Sequence, residues 1–431
     1  MEAKRRNQLA FFVLGVLTNF FYSVLIAAAE DLASGHAGAI LLADILPVLL
    51  VKATAMLWVG LVSYNVRAVL VTLCNALAIV FVVSGSDLSA RIAGVILASA
   101  GSGIAEVSML AQTSFYMQHN CLVPWAAGTG FSGIVSGVWY LVGREMLNHS
   151  ASAVLASTAL MVPLFWLSHR FLLLPHEVSE YATLDDDNAG NTLDEQVAFV
   201  IDNEEERDDV QLDSLEDYDP FRQIDLEVRS DSRWQRWKRR LQTAKKEKQA
   251  RNDEFPTLAS KLRLVREHLL FPYMSVLFLV YFAEYTINQG VLSAMDIALP
   301  GVEDTHAFYV LANMVYQCGV FVSRSSRSVY RIRSQRLWLL AALQLNNLFL
   351  LALNARFDLV RHATVILPVV FFEGLLGGLT YANGFAEMAL ALPESKRELA
   401  LSIASAADAT GISLAAIISV FLEPALRKSR Q

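Results

Sequence analysis

The chain has 431 residues, 54% of them hydrophobic, with a mean hydropathy of +0.40 and a formal net charge of −7. So much apolar surface, kept despite a long charged segment, excludes an ordinary water-soluble globule and indicates a membrane protein. Three scattered cysteines, Cys74, Cys121 and Cys318, exclude a disulfide or metal-cluster framework.

Apolar windows of about 20 residues, enough to span a bilayer core as a helix, occur near 8–29, 39–61, 67–84, 91–113, 123–142 and 152–174. Five more follow near 270–292, 306–323, 336–354, 363–386 and 398–422. The fold expected is an all-α polytopic membrane protein of about eleven transmembrane helices. The first run follows the basic start MEAKRRNQ but continues to Ala29 without a small-residue cleavage site, so it is read as a retained signal anchor.

Ionisable residues inside these runs carry the functional signal, because a charge at mid-bilayer costs about 2.5–3.5 kcal/mol on insertion scales and is kept where it meets a partner, water or a solute. Helix two holds Asp44 and Lys52 in ADILPVLLVK, about 80° apart around the helix and about 12 Å along it. Pro47 between them is expected to kink it. Helix four places Glu106 in GSGIAEVSML. Helix five carries Gly133 and Gly137, a small-xxx-small pair suited to close helix packing. In the loop that follows, Asn148-His149-Ser150 is a glycosylation acceptor sequence.

Residues 175–268 form a charged linker, expected to be cytosolic and mostly disordered. Positions 176–219 carry 17 acids and one base, and 220–268 carry 14 bases and 7 acids. The linker alone accounts for the negative balance, so net charge says nothing about a substrate. Within it, RWQRWKRRLQTAKKEK (233–248) sets Trp234, Trp237 and Leu241 at helical spacing among eight Lys or Arg, a pattern that suits anionic lipid headgroups or a plain charged connector. Tyr181 and Leu184 have the tyrosine-x-x-apolar form of an endolysosomal sorting signal that adaptors could read.

Beyond the linker, YFAEYTINQG in helix seven sets Glu284 and Asn288 four apart on one face, with Gln289 beside them. Arg324 ends helix eight ahead of an arginine-rich loop. Helix ten contains Glu373, the small-residue pair Gly374 and Gly378, and Asn383. Helix eleven contains Asp408. Glu106 and Glu373 occupy related places in helices four and ten, and GTGFSG in helix five is matched by ATGISL in helix eleven. These correspondences suggest two pseudo-repeated halves, major-facilitator-like, with residues 1–174 as a six-helix half and 269–431 as a half of about five helices. Lys4, Arg5, Arg6 and the basic 8/9 loop place the N-terminus and linker in the cytosol. Eleven crossings then put the basic tail LRKSRQ on the far side, against the same rule.

The polar positions are expected to converge on a cavity between the halves, with a structural hydrogen-bond network as the alternative for any one of them. Glu106 and Glu373 are candidates to take up and release protons. No catalytic motif, metal-ligand cluster, cofactor or nucleic-acid signature is present, so the chain is not expected to be an enzyme.

FFYSVLIAAAEDL, LLADILPVLLVK, GTGFSG, YFAEYTINQG, YQCGVFVSRSS, EGLLGGLTYANGF and DATGISL together resemble the battenin family of lysosomal membrane proteins, over nearly the whole chain apart from the linker. The resemblance implies a facilitator-like membrane protein of the lysosome or vacuole, tied to lysosomal pH, basic amino-acid balance and glycerophosphodiester clearance. Its blocks point to Asp31, Asp44, Lys52, Glu106, Glu284, Asn288, Gln289, Arg324, Glu373, Asn383 and Asp408. The solute expected is a glycerophosphodiester, which Lys52 or Arg324 would meet, or a basic amino acid, which the acids would bind. The contrasting reading is a non-transporting scaffold that regulates endolysosomal trafficking through the linker.

Overall fold

The computed structural model describes residues 2–32, 37–85, 87–174, 257–295, 297 and 306–428. Tyr181, Leu184, the basic stretch 233–248 and the Asp31 side chain lie outside the described residues. The described chain is helical throughout. Six helices precede the linker: α1 (Glu2–Leu32), α2 (Ala37–Ala53), α3 (Tyr64–Ser84), α4 (Leu88–Gln112), α5 (Leu122–Leu141) and α6 (Ala151–Leu172). Five follow it: α7 (Leu258–Ala294), α8 (His306–Ser325), α9 (Ser334–Phe357), α10 (Ala363–Ala391) and α11 (Glu394–Lys428).

Eight of these are long and apolar enough to cross a membrane by length and composition. The other three are α2, α5 and α8, of which α2 ends after 17 residues. Hydropathy detects oil rather than helix, so it misses the polar first turns of α7. That helix begins at Leu258, capped by Thr257 accepting from the Ser260 amide at 3.3 Å, inside the stretch assigned to the linker by charge. Pro47 lies inside α2, which stays helical across it from Ala37 to Ala53. Beside it, Ser99 of α4 donates to the Asp44 carbonyl, which helps satisfy backbone polar groups in oil.

Packing repeats between the halves. In the first, α1 lies on α5, and α4 on both α2 and α3; in the second, α7 lies on α11, and α10 on both α8 and α9. Adding six to each helix number converts one set into the other. The halves meet where α5 packs on α8 and α2 on α11, two contacts that the same operation exchanges. Small residues permit these approaches: a Cβ on Gly128 would strike the Phe12 carbonyl of α1, and one on Gly411 would lie 2.5 Å from the Phe278 carbonyl of α7.

The glycine pairs singled out in the sequence both face α8. A Cβ on Gly133 would strike Gln317, and one on Gly137 would lie 3.0 Å from Met314 Sδ. On α10, Gly374 and Gly378 back onto Tyr316 and Ser323. Asn148 is exposed in the α5–α6 loop with φ 50°. Beside it Ser150 caps α6 by accepting from the Ala153 amide.

Candidate functional site

A polar cavity of about 150 Å3 lies between the halves, walled by α1, α2, α4 and α5 on one side and α7, α8, α10 and α11 on the other. Five of the ionisable residues picked from the sequence line it: Lys52, Glu106, Glu284, Arg324 and Asp408. They form two groups with different chemistry.

The first group is an ion triad. Lys52 Nζ lies 2.8 Å from Glu106 Oε2, and 3.0 and 3.1 Å from the two Asp408 oxygens, with Lys52 only 3% exposed. Lys52 and Glu106 come from the first half and Asp408 from the second, so one ammonium ties α2 and α4 to α11. Two carboxylates around one cation more than cancel its charge. Such a group is stable when intact, because breaking a buried pair leaves an uncompensated charge.

The second group surrounds Arg324, which is 8% exposed. Its guanidinium donates to Thr129 Oγ1 at 2.6 Å and to the Tyr281 hydroxyl at 3.0 Å, and stacks over the Tyr381 ring at 4.1 Å. Every partner is uncharged, and Arg324 Nε has none. No carboxylate stands within ion-pair distance of it among the described residues. Tyr381 joins the two groups, since its hydroxyl donates to Glu106 Oε1 at 3.1 Å while its ring carries Arg324.

Glu284 faces the cavity from α7, with one oxygen accepting from the Tyr316 hydroxyl and the other, Oε2, unpartnered. Its carboxylate rests against Gly377 of α10, where a Cβ would overlap it. Asn288 does not share that view. Asn288 Nδ2 instead donates to the Glu284 carbonyl and to Glu373 Oε1, each at 3.1 Å, as the helix passes into a wide π turn over Ile287–Val291. Glu373 is 0% exposed and stands behind the wall rather than on it.

Three other positions also miss the cavity. Asp44 stands one residue behind, accepting from the Tyr22 hydroxyl at 2.8 Å, while Tyr22 itself lines the space. Gln289 lies about 100° around α7 from its neighbour Asn288 and is not on the wall. Asn383, two residues past Tyr381 and so on the far side of α10, uses its Oδ1 to accept from the Ile332 amide at 2.9 Å and secures the α8–α9 loop.

Residue-type reasoning overlooked the hydroxyls. Tyr22, Tyr281, Tyr285, Tyr316 and Tyr381 all line the cavity, with Asn19, Ser102, Thr129 and Gln317. Tyrosine in an apolar run raises no alarm, because its ring is at home in oil and only its tip needs water. A usable signal was present in YFAEY, where two tyrosines flank Glu284 within one helical turn.

The profile of the family described as CLN3 protein matches residues 9–429. Protein btn1 of Aspergillus fumigatus is 34% identical over 436 residues, covering 98% of this chain and 88% of the relative. Battenin of Canis lupus familiaris is 29% identical over 445 residues, covering 96% and 90%. The solved structure of the major facilitator superfamily proton:xylose symporter XylE bound to 6-bromo-6-deoxy-D-glucose matches with a TM-score of 0.57 over 98% of this chain and 90% of that one. At 11% identity this likeness concerns the fold alone. The paired helices and the near full-length match of sequence thus agree: the chain belongs to the CLN3, or battenin, family of multi-pass membrane proteins and has a major-facilitator-like fold.

Proposed function

We propose that the chain is a solute carrier of the lysosomal or vacuolar membrane, not an enzyme, with its N-terminus and central linker in the cytosol. It moves a glycerophosphodiester by alternating access of the two halves around the central cavity. One observation carries the choice of solute: Arg324 presents a buried guanidinium with an unpartnered Nε and only uncharged partners, while Lys52 is neutralised by Glu106 and Asp408. A guanidinium fork matches a phosphate diester. The hydroxyl-rich tyrosine wall suits the glycerol part. Glu284, with a free oxygen on the cavity, and Glu106 and Glu373 are the residues assigned to proton movement coupled to the solute. The exposure of Asn148 in the α5–α6 loop supports a glycan there, on the side away from the N-terminus.

The test is uptake by the purified full-length protein in liposomes under an imposed pH gradient, with labelled glycerophosphodiesters set against lysine and arginine. Saturable glycerophosphodiester uptake that disappears in Arg324→Gln is the expected result. Uptake of the basic amino acids with none of the phosphodiesters would reject the assignment of Arg324.

A further inference from the structure

A second space, with the opposite chemistry, lies between α5 and α6. It has a volume of about 600 Å3, and carbon forms nearly all of its wall: Phe131, Val135 and Val138 from α5, with Val142 just past its end, face Ala153 and Val154 from α6. The α6 side of it is formed by the first segment, Ala151–Ser157, ahead of a tight turn over Thr158–Met161 and a second segment, Val162–Leu167. At the back, Trp139 Nε1 donates to Ser157 Oγ at 3.1 Å, so the polar atoms there are already occupied. None of the lining side chains holds a buried donor or acceptor awaiting a partner.

Both walls belong to membrane-crossing helices, so the occupant comes from the bilayer. The length fits one tail. Phe131 to Val142 spans about 16 Å of helix at about 1.5 Å per residue, roughly half of a hydrocarbon core about 30 Å thick. The crevice therefore covers the depth of a single leaflet. At its outer end stands His149, exposed in the α5–α6 loop. At its inner end Phe131 packs on Phe321 of α8 at 5.0 Å, while Thr129 and Gly133 on the other face of α5 line the central cavity.

We propose that the α5–α6 crevice is a binding site for one acyl chain of a phospholipid from the leaflet on the α5–α6 loop side. The chain fills the space between α5 and the first segment of α6 and supports α5 from behind. The proposal stands on the fold and does not require the carrier reading.

The test uses the full-length protein in nanodiscs of dioleoyl phosphatidylcholine containing a trace of phosphatidylcholine with a tail diazirine. After irradiation, adducts are mapped by mass spectrometry. Labelling of residues 131–157 should exceed several-fold that of the exposed α9 positions Leu339, Phe349 and Leu350, which report ordinary boundary lipid. Val138→Trp, at a position 43% exposed on the crevice wall, should reduce it several-fold without changing α9 labelling. Ala153→Phe fills the space from the opposite wall and gives the same readout if the first variant does not fold. Labelling of 131–157 no higher than that of α9, or unaffected by either filling substitution, would mean boundary lipid only and overturn the site.

Discussion

Lys52 and Arg324 are both buried cations on the wall of one cavity, but they are held in different ways. Lys52 sits between two carboxylates from different halves, at 2.8 and 3.0 Å, and its charge is spent on holding helices together. Arg324 is held by two hydroxyls and a tyrosine ring, which orient a guanidinium without neutralising it. Burial and residue type alone do not separate the two roles. The partner set does: opposite charges make a strut, and neutral acceptors and rings keep a charge available for a ligand.

Substitutions can break or sharpen that contrast. The largest expected effect is on folding. Lys52→Met leaves Glu106 and Asp408 facing each other unpaired and should destabilise the protein by about 3–5 kcal/mol. In a double-mutant cycle, combining it with Asp408→Asn should recover part of that loss, read by thermal unfolding in detergent; strictly additive losses would remove Lys52 from the role of strut. Arg324→Lys should spare stability by comparison but cut glycerophosphodiester uptake by roughly 100-fold, about 2.7 kcal/mol, because an ammonium cannot keep both hydroxyl contacts, the ring stack and a fork for phosphate. Wild-type uptake in that variant would show that any positive charge suffices there.

Gly377→Ala pushes a methyl group into the position of the Glu284 carboxylate and should lower the uptake rate about tenfold, by about 1.4 kcal/mol, with expression retained. Full activity would mean that Glu284 is free to move aside at no cost. Glu106→Gln and Glu373→Gln should each flatten the dependence of uptake on the imposed pH gradient, and a gradient dependence intact in both would dispose of their proton role. The smallest effect is reserved for Asn383→Ala. It should cost about 1 kcal/mol of stability through the lost Ile332 contact and leave the apparent affinity for solute unchanged. A shift in affinity would return Asn383 to the site.

Much of the protein is legible from its residues. Apolar windows reveal the crossings because a bilayer core allows only backbones that satisfy their own hydrogen bonds, so composition and length leave helix as the one solution. The insertion cost of charge likewise marks Lys52, Glu106, Glu284 and Asp408 on the wall, with Asp44 and Glu373 behind it, whereas Arg324 at the end of helix eight is pointed to by the family resemblance. Periodicity fails where a helix is irregular. Asn288 lies four residues from Glu284 and is expected on the same face, but its amide goes to Glu373 behind the wall, at the start of the π turn over Ile287–Val291. Asn383 and Gln289 are polar residues in oil like the others, and nothing local distinguishes a loop clasp from a cavity wall.

The sequence by itself determined that this chain lives in a bilayer, that it is helical, that it repeats in two halves and which few side chains are too costly to be decoration. All of these follow from transfer free energies and helical geometry, which act within a segment. Only the tertiary structure decided which charges cancel and which stay open, which tyrosines surround them and where an apolar crevice lies between α5 and α6. Those depend on contacts between helices hundreds of residues apart, such as Lys52 with Asp408 and Thr129 with Arg324, and no local pattern encodes them.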